Sequence, residues 1–129
     1  MTQEEFIKVL DTKGYSYEIE GDKLVVTSEV SVALYSLTSL PTGVEFKNGG
    51  NVELAYLDSL PPGVVFRNER TVYLDSLTSL PPGVEFKNVG AVRLRSLIGG
   101  YLHEWKGNIE GIDSKMLLNL MIKKEIFNI

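Results

Sequence analysis

Cysteine is absent from the 129 residues, which excludes a disulfide scaffold and thiolate metal ligation. Histidine and tryptophan occur once each, and one histidine without cysteine argues against a transition-metal centre. No apolar run approaches the roughly 20 residues that span a bilayer. A basic excess is also missing. Thirteen Lys and Arg stand against 17 Asp and Glu, for a net charge of -4, so a general nucleic-acid binder or an anionic-membrane binder is disfavoured. The opening MTQEEFIKVL is acidic where a signal peptide is basic, which predicts a cytoplasmic protein. No Ser-His-Asp order, HExxH, P-loop or EF-hand pattern occurs.

What is present is ordinary for a soluble globular chain: 43% hydrophobic and 23% charged residues, at a length that fits one domain. Its organising feature is a repeat. The pattern LxxLPxGVxFxNxxxVxL begins at Leu37, Leu57 and Leu77, twenty residues apart. Period-two alternation within each copy predicts two short strands. One carries Val52 and Leu54, matched by Val72 and Leu74 and by Val92 and Leu94. The other carries Val44 and Phe46, matched by Val64 and Phe66 and by Val84 and Phe86. Between them the LxSLPPG segment adds two leucines and a proline-glycine corner that ends a strand. The return corner runs from Asn48 to Asn51, from Asn68 to Thr71 and from Asn88 to Ala91. One coil buries too few apolar side chains to offset the ordering of its own backbone, so the copies must stack.

The ends read as caps. Thr2 and Glu5 form a capping box, Phe6, Ile7 and Leu10 give one apolar face, and Gly14 stops the helix. Tyr15, Tyr17 and Ile19 alternate with polar residues, and Gly21-Asp22 turns the chain back to Leu24 and Val26 as a β-hairpin. Leu24, Val26 and Ser28 stand twenty residues before Val44, Phe46 and Asn48, so the hairpin's second strand enters the repeat register. After Leu97 the register breaks at Gly99 and Gly100. Tyr101 to Trp105 reads as a strand, and Asp113 caps a helix with an apolar stripe of Met116, Leu117, Leu120, Met121 and Ile122. The expected architecture is one mainly β domain. It comprises an N-terminal helix-hairpin cap over 1–22, a right-handed β-solenoid of about four 20-residue coils over 23–99, and a C-terminal helical cap over 100–129.

The LTSLP string and the repeat length resemble the short class of bacterial leucine-rich repeats, whose pattern is LxxLxLxxNxLxxLP. That family's strand-end asparagine is replaced here by Ser36, Tyr56, Ser76 and Ser96. An asparagine ladder must then be absent or moved to Asn48, Asn68 and Asn88. The departure favours a compact solenoid with two strands per turn over a curved horseshoe. The KGYSYEIEGDKLVVT leader, the tandem SLTSLPxGVxF repeats and the WKGNIEGID tail together resemble small bacterial and phage repeat proteins. That resemblance implies the fold and a mobile-element origin, and carries over no activity and no functional residue.

Candidate sites lie on the outward columns, where equivalent residues of stacked coils stand about 4.8 Å apart. Lys47, Arg67 and Lys87 form a basic column able to grip a phosphate or an acidic surface, or a solvated face offset by Glu45 and Glu85. The other face is uneven: Ala33, Glu53, Tyr73 and Arg93 in one column, Tyr35, Ala55, Asp75 and Arg95 in the next, with Tyr56 where other coils have serine. Tyrosine and arginine make good interface anchors, though unconstrained surface looks the same. Tyr56 either fills a gap or projects as an extra anchor. His103, with Glu104, Trp105, Glu110 and Asp113 nearby, is the one cluster with acid-base potential. Adjacent strand residues face opposite ways, so His103 and Glu104 do not work as a pair, and a cap-stabilising histidine is the simpler reading.

These residues predict a protein-binding module without enzymatic activity or cofactor, acting through its outward surface on a partner protein. The alternatives are a phage or mobile-element inhibitor or decoy of a host defence protein, and a hydrolase built around His103. A homodimer is also open, because a short solenoid has two ends to hide.

Overall fold

A computed structural model describes residues 1–79 and 81–94. The chain begins with helix α1, Gln3–Lys13. The Thr2 hydroxyl accepts the Glu5 N–H at 3.1 Å, and the Glu5 carboxylate accepts the Thr2 N–H at 2.9 Å, which satisfies two of the donors a helix start leaves open. Those bonds, the backbone one first, hold the Glu5 carboxyl below its usual range. Gly14 closes the helix in the left-handed region at φ 76°, where a side chain would be strained. Phe6 and Leu10 are fully buried, so the face predicted from spacing is the face that packs.

Strands β1 (Tyr17–Glu20) and β2 (Lys23–Val26) form the antiparallel hairpin around Gly21 and Asp22. The chain then alternates between two sheets through β3 (Val32–Ala33), β4 (Val44–Phe46), β5 (Val52–Glu53), β6 (Val65–Phe66), β7 (Val72–Tyr73), β8 (Glu85–Phe86) and β9 (Val92–Arg93). One sheet has the order β1-β2-β4-β6-β8 and the other β3-β5-β7-β9, and from β2 onward every pairing is parallel. Each pairing joins residues twenty apart, as Leu24 with Val44 and Val52 with Val72. This is a β-solenoid of about three turns with two strands per turn. The expected fourth coil falls partly, and the C-terminal helical cap wholly, outside the described residues.

One turn shows how the repeat is read. Val52, Leu54, Leu57, Leu60, Val64 and Phe66 are all buried, the six apolar positions of the motif. Phe46, Phe66 and Phe86 stack with ring centroids 5.3 Å apart and planes within 6° of parallel, following the strand spacing. The proline-glycine corner turns at Gly43, Gly63 and Gly83, with φ of 78°, 84° and 80°, a region that glycine enters without steric cost.

The opposite corner is built on asparagine. Asn48, Asn68 and Asn88 are wholly buried, and each side-chain amide donates to backbone carbonyls of its own corner and of the preceding turn. Asn68 Nδ2 reaches the carbonyls of Gly50, Arg70 and Thr71 at 3.0 to 3.3 Å. Asn48 serves Val30 and Asn51, and Asn88 serves Arg70, Gly90 and Ala91. An asparagine ladder therefore stands at this corner. Their Oδ1 atoms accept no bond, so the donor end of each amide carries the interaction. Close packing of successive corners also explains Gly50, where a Cβ would lie 2.5 Å from the Ser31 backbone nitrogen.

The N-terminal end of the stack is finished with side chains. The Tyr15 hydroxyl accepts the Ala33 N–H at 3.0 Å, satisfying a donor on the edge strand β3, and the Ser28 hydroxyl accepts the Ser16 N–H at 2.6 Å. Both bonds manage edges that stacked strands otherwise leave open. Tyr15 and Tyr17 pack against the core. Ile19, expected to share their apolar face, is instead exposed, because it lies two residues nearer the hairpin tip on the sheet's edge strand. Among the described residues no helix is long and apolar enough to cross a membrane.

Candidate functional site

The candidate residues divide between the two sheets. Arg67 follows β6, and Lys47 and Lys87 occupy the same place after β4 and β8. Glu45, expected to be a solvated offset, is buried to 8% exposure. Its two carboxylate oxygens face Lys23 Nζ and Arg67 Nε, each at 3.4 Å. Lys87 Nζ lies 3.2 Å from Glu85. Lys47 shares a groove of about 350 Å³ with Glu29 and Glu69. The column is thus interleaved with carboxylates, and an incoming phosphate would meet them as well as the cations. The signal for this was the register: Val25 pairs with Glu45, so Lys23, two residues earlier on β2, reaches it diagonally.

The second group assembles on the other sheet and the turns that follow it. Leu34 and Leu37 are bridged by the Leu37 N–H to the Leu34 carbonyl at 3.2 Å, with the same bond at Leu54–Leu57 and Leu74–Leu77. Tyr35, Ala55 and Asp75 therefore occupy turns rather than a strand column as expected, because β3, β5 and β7 end one residue before the preceding leucine. Tyr56 is the next turn residue in its copy. It projects, 63% exposed, which decides between filling a gap and standing out.

The turns and strands interlock. Tyr35 and Tyr56 meet edge to face, ring centroids 6.5 Å apart and planes at 74°. The Tyr35 hydroxyl donates to Glu53 Oε1, and this bond raises the Tyr35 phenol above its ordinary value of 10.0, with burial adding to it. One coil on, the Arg93 guanidinium lies 5.3 Å over the Tyr73 ring, while its Nε stands 3.8 Å from Asp75 Oδ1. Tyr35, Glu53, Tyr56, Tyr73, Asp75 and Arg93 thus form a face of aromatic rings and charges. Arg95 lies outside the described residues, as does the cluster around His103. Sequence reasoning placed the residues of this face but missed its bonds, since columns show only which side chains share a face.

Hollows bordering these elements include one of about 600 Å³ between the chain start and the Gly21 and Pro41 turns, one of about 280 Å³ between α1 and Ser36, and the groove at Lys47. Among the described residues no three carboxylate or histidine side chains cluster so as to hold a metal ion. Comparison of the chain with protein-family models, with curated proteins and with solved structures finds no match to any of them.

Proposed function

We propose that the chain is a non-enzymatic, cytoplasmic protein-interaction module, and that it reads its partner through the face carrying Tyr35, Glu53, Tyr56, Tyr73 and Arg93. The observation that carries this reading is the exposed pair of Tyr35 and Tyr56, 48% and 63% exposed, held edge to face on consecutive turns. Tyrosine offers large contact area with few torsions to freeze, and a ring already packed and hydrogen-bonded loses less entropy when a partner docks. A solenoid core that repeats in every turn keeps such a face in place while letting its residues differ. The finer architecture belongs to the same reading: about four leucine-rich-repeat-like coils, closed by the apolar stripe from Met116 to Ile122.

The test is affinity capture from lysate with the wild-type chain and with a Tyr35→Ala/Tyr56→Ala variant whose thermal unfolding is unchanged. The reading expects a protein captured by the first and lost by the second. Equal recovery by both would refute it. A captured protein whose own activity falls on binding would make the chain an inhibitor.

A further inference from the structure

The face contains two clusters of rings and carboxylates, and one of them already holds a cation. Tyr73, Asp75 and Arg93 are an aromatic ring, a carboxylate and a guanidinium in contact: the guanidinium lies 5.3 Å over the ring and Arg93 Nε stands 3.8 Å from the carboxylate. A guanidinium is attracted by the face of a ring and by a nearby carboxylate, and it is weakly hydrated enough to stack. On the adjacent turns stand Tyr35, Tyr56 and Glu53, which are rings and a carboxylate without the cation. Glu53 pairs with Tyr73 across the ladder, so the two clusters adjoin.

Three other carboxylates of the strands and turns are answered by cations of the chain itself. Glu45 faces Lys23 and Arg67, Glu85 faces Lys87, and Asp75 faces Arg93. Among the described residues Glu53 faces no cation; it accepts from the Tyr35 hydroxyl through Oε1. The rings beside it meet at 74° rather than stacking, so they form a corner and leave ring surface exposed. Negative charge and aromatic faces together are the chemistry that recognises a cationic group.

We infer that Tyr35, Tyr56 and Glu53 form a docking site for an arginine side chain of the partner protein, which takes there the role that Arg93 takes beside Tyr73 and Asp75. This rests on the interaction reading above and names the chemistry of the contact. Glu53 supplies the charge, Tyr35 holds the carboxylate by its hydroxyl, and Tyr56 supplies the most exposed ring. Tyr73, already covered by Arg93, is not available to a second guanidinium.

The probe is N-acetyl-arginine amide, titrated into the full chain with side-chain resonances followed by NMR. N-acetyl-citrulline amide, neutral and nearly the same shape, is the control. The expected result is a saturable shift at Tyr35, Tyr56 and Glu53 with the arginine compound, little movement at Tyr73, and no saturation with citrulline. Glu53→Gln and Tyr56→Ala should each weaken the site about tenfold. Both residues lie at the surface, and an unchanged wild-type pattern elsewhere verifies the fold. Equal shifts from citrulline, or arginine binding unaffected by Glu53→Gln, would overturn the inference. A partner captured through the tyrosines by a chain that shows no arginine-selective shift would leave the interaction reading standing and remove the arginine site. Saturable arginine binding with no capture dependent on Tyr35 and Tyr56 would do the reverse.

Discussion

Phe66 and Tyr73 lie on consecutive strands in opposite sheets of the solenoid, one facing in and the other out. Phe66 is stacked between Phe46 and Phe86, the same side chain in the same geometry on both sides. Tyr73 stands between Glu53 and Arg93, two residues with nothing in common but their place in the column. Both columns are set by the same twenty-residue register. The inner column repeats because each ring must fit the hollow left by the ring below, at interior packing density. The outer column is free of that demand, so its residues differ from turn to turn. A similar contrast separates the two outward faces. Glu45 and Glu85 face cations of the chain, whereas Glu53 faces a tyrosine hydroxyl and stands beside two exposed rings.

Substitutions graded from inside to outside would sharpen or break this contrast. The largest effect belongs to Phe66→Ala, which interrupts the stack on both sides and should cost about 3 to 5 kcal/mol in chemical denaturation. A loss under about 1 kcal/mol would mean that the ring stack does not hold the turns together. Next comes Asn68→Ala, which removes a donor shared by three backbone carbonyls. It should cost about 2 to 4 kcal/mol by the same measurement, and Asn68→Asp should cost at least as much, since a carboxylate would place negative charge against those oxygens. Glu45→Gln leaves Lys23 and Arg67 without their carboxylate. Both cations are largely solvated, 59% and 42% exposed as side chains, so the expected loss is about 0.5 to 1 kcal/mol, smaller still at high salt.

The smallest effect is a titration. The Glu53 bond raises the Tyr35 phenol, so the folded state holds that proton more tightly than the unfolded chain does. The contribution is fully present below the ordinary tyrosine value and is lost as pH rises through the raised one. Tyrosinate absorbance in Glu53→Gln should therefore show one phenol moved to lower pH, with Tyr17, raised by its burial and by Asp11, unmoved. An unaltered curve would mean that Glu53 and Tyr35 do not pair in solution.

Much of the fold was legible because its rules are local or periodic. Thr2, Glu5 and Gly14 announce the ends of α1, since the open backbone groups of a helix must be met by neighbouring residues. Gly21-Asp22 announces the hairpin, and the twenty-residue spacing fixes every parallel pairing between Leu24 and Val92. The buried asparagines were half legible: with Ser36, Tyr56 and Ser76 after the strand, an asparagine ladder had to be absent or to stand at Asn48, Asn68 and Asn88. What alternation could not give was the point where a strand yields to a turn. Tyr35 and Asp75 continue the period-two pattern of β3 and β7, yet the Leu37 and Leu77 N–H groups donate to the Leu34 and Leu74 carbonyls and fold the residues between into corners. Nor could it give contacts between columns. The burial of Glu45 depends on two long side chains arriving diagonally from β2 and from the end of β6, and the pairing of Tyr35 with Glu53 crosses from a turn to the next coil's strand.

The proposal that the tyrosine face binds and the basic column does not is tested by a single comparison. Tyr56→Ala and Lys87→Gln, each folded as the wild type by thermal unfolding, are used side by side in affinity capture from the same lysate. The account predicts that the partner held by the wild-type chain is lost with Tyr56→Ala and kept with Lys87→Gln. Loss with Lys87→Gln and retention with Tyr56→Ala would contradict it and move the binding surface to the basic column.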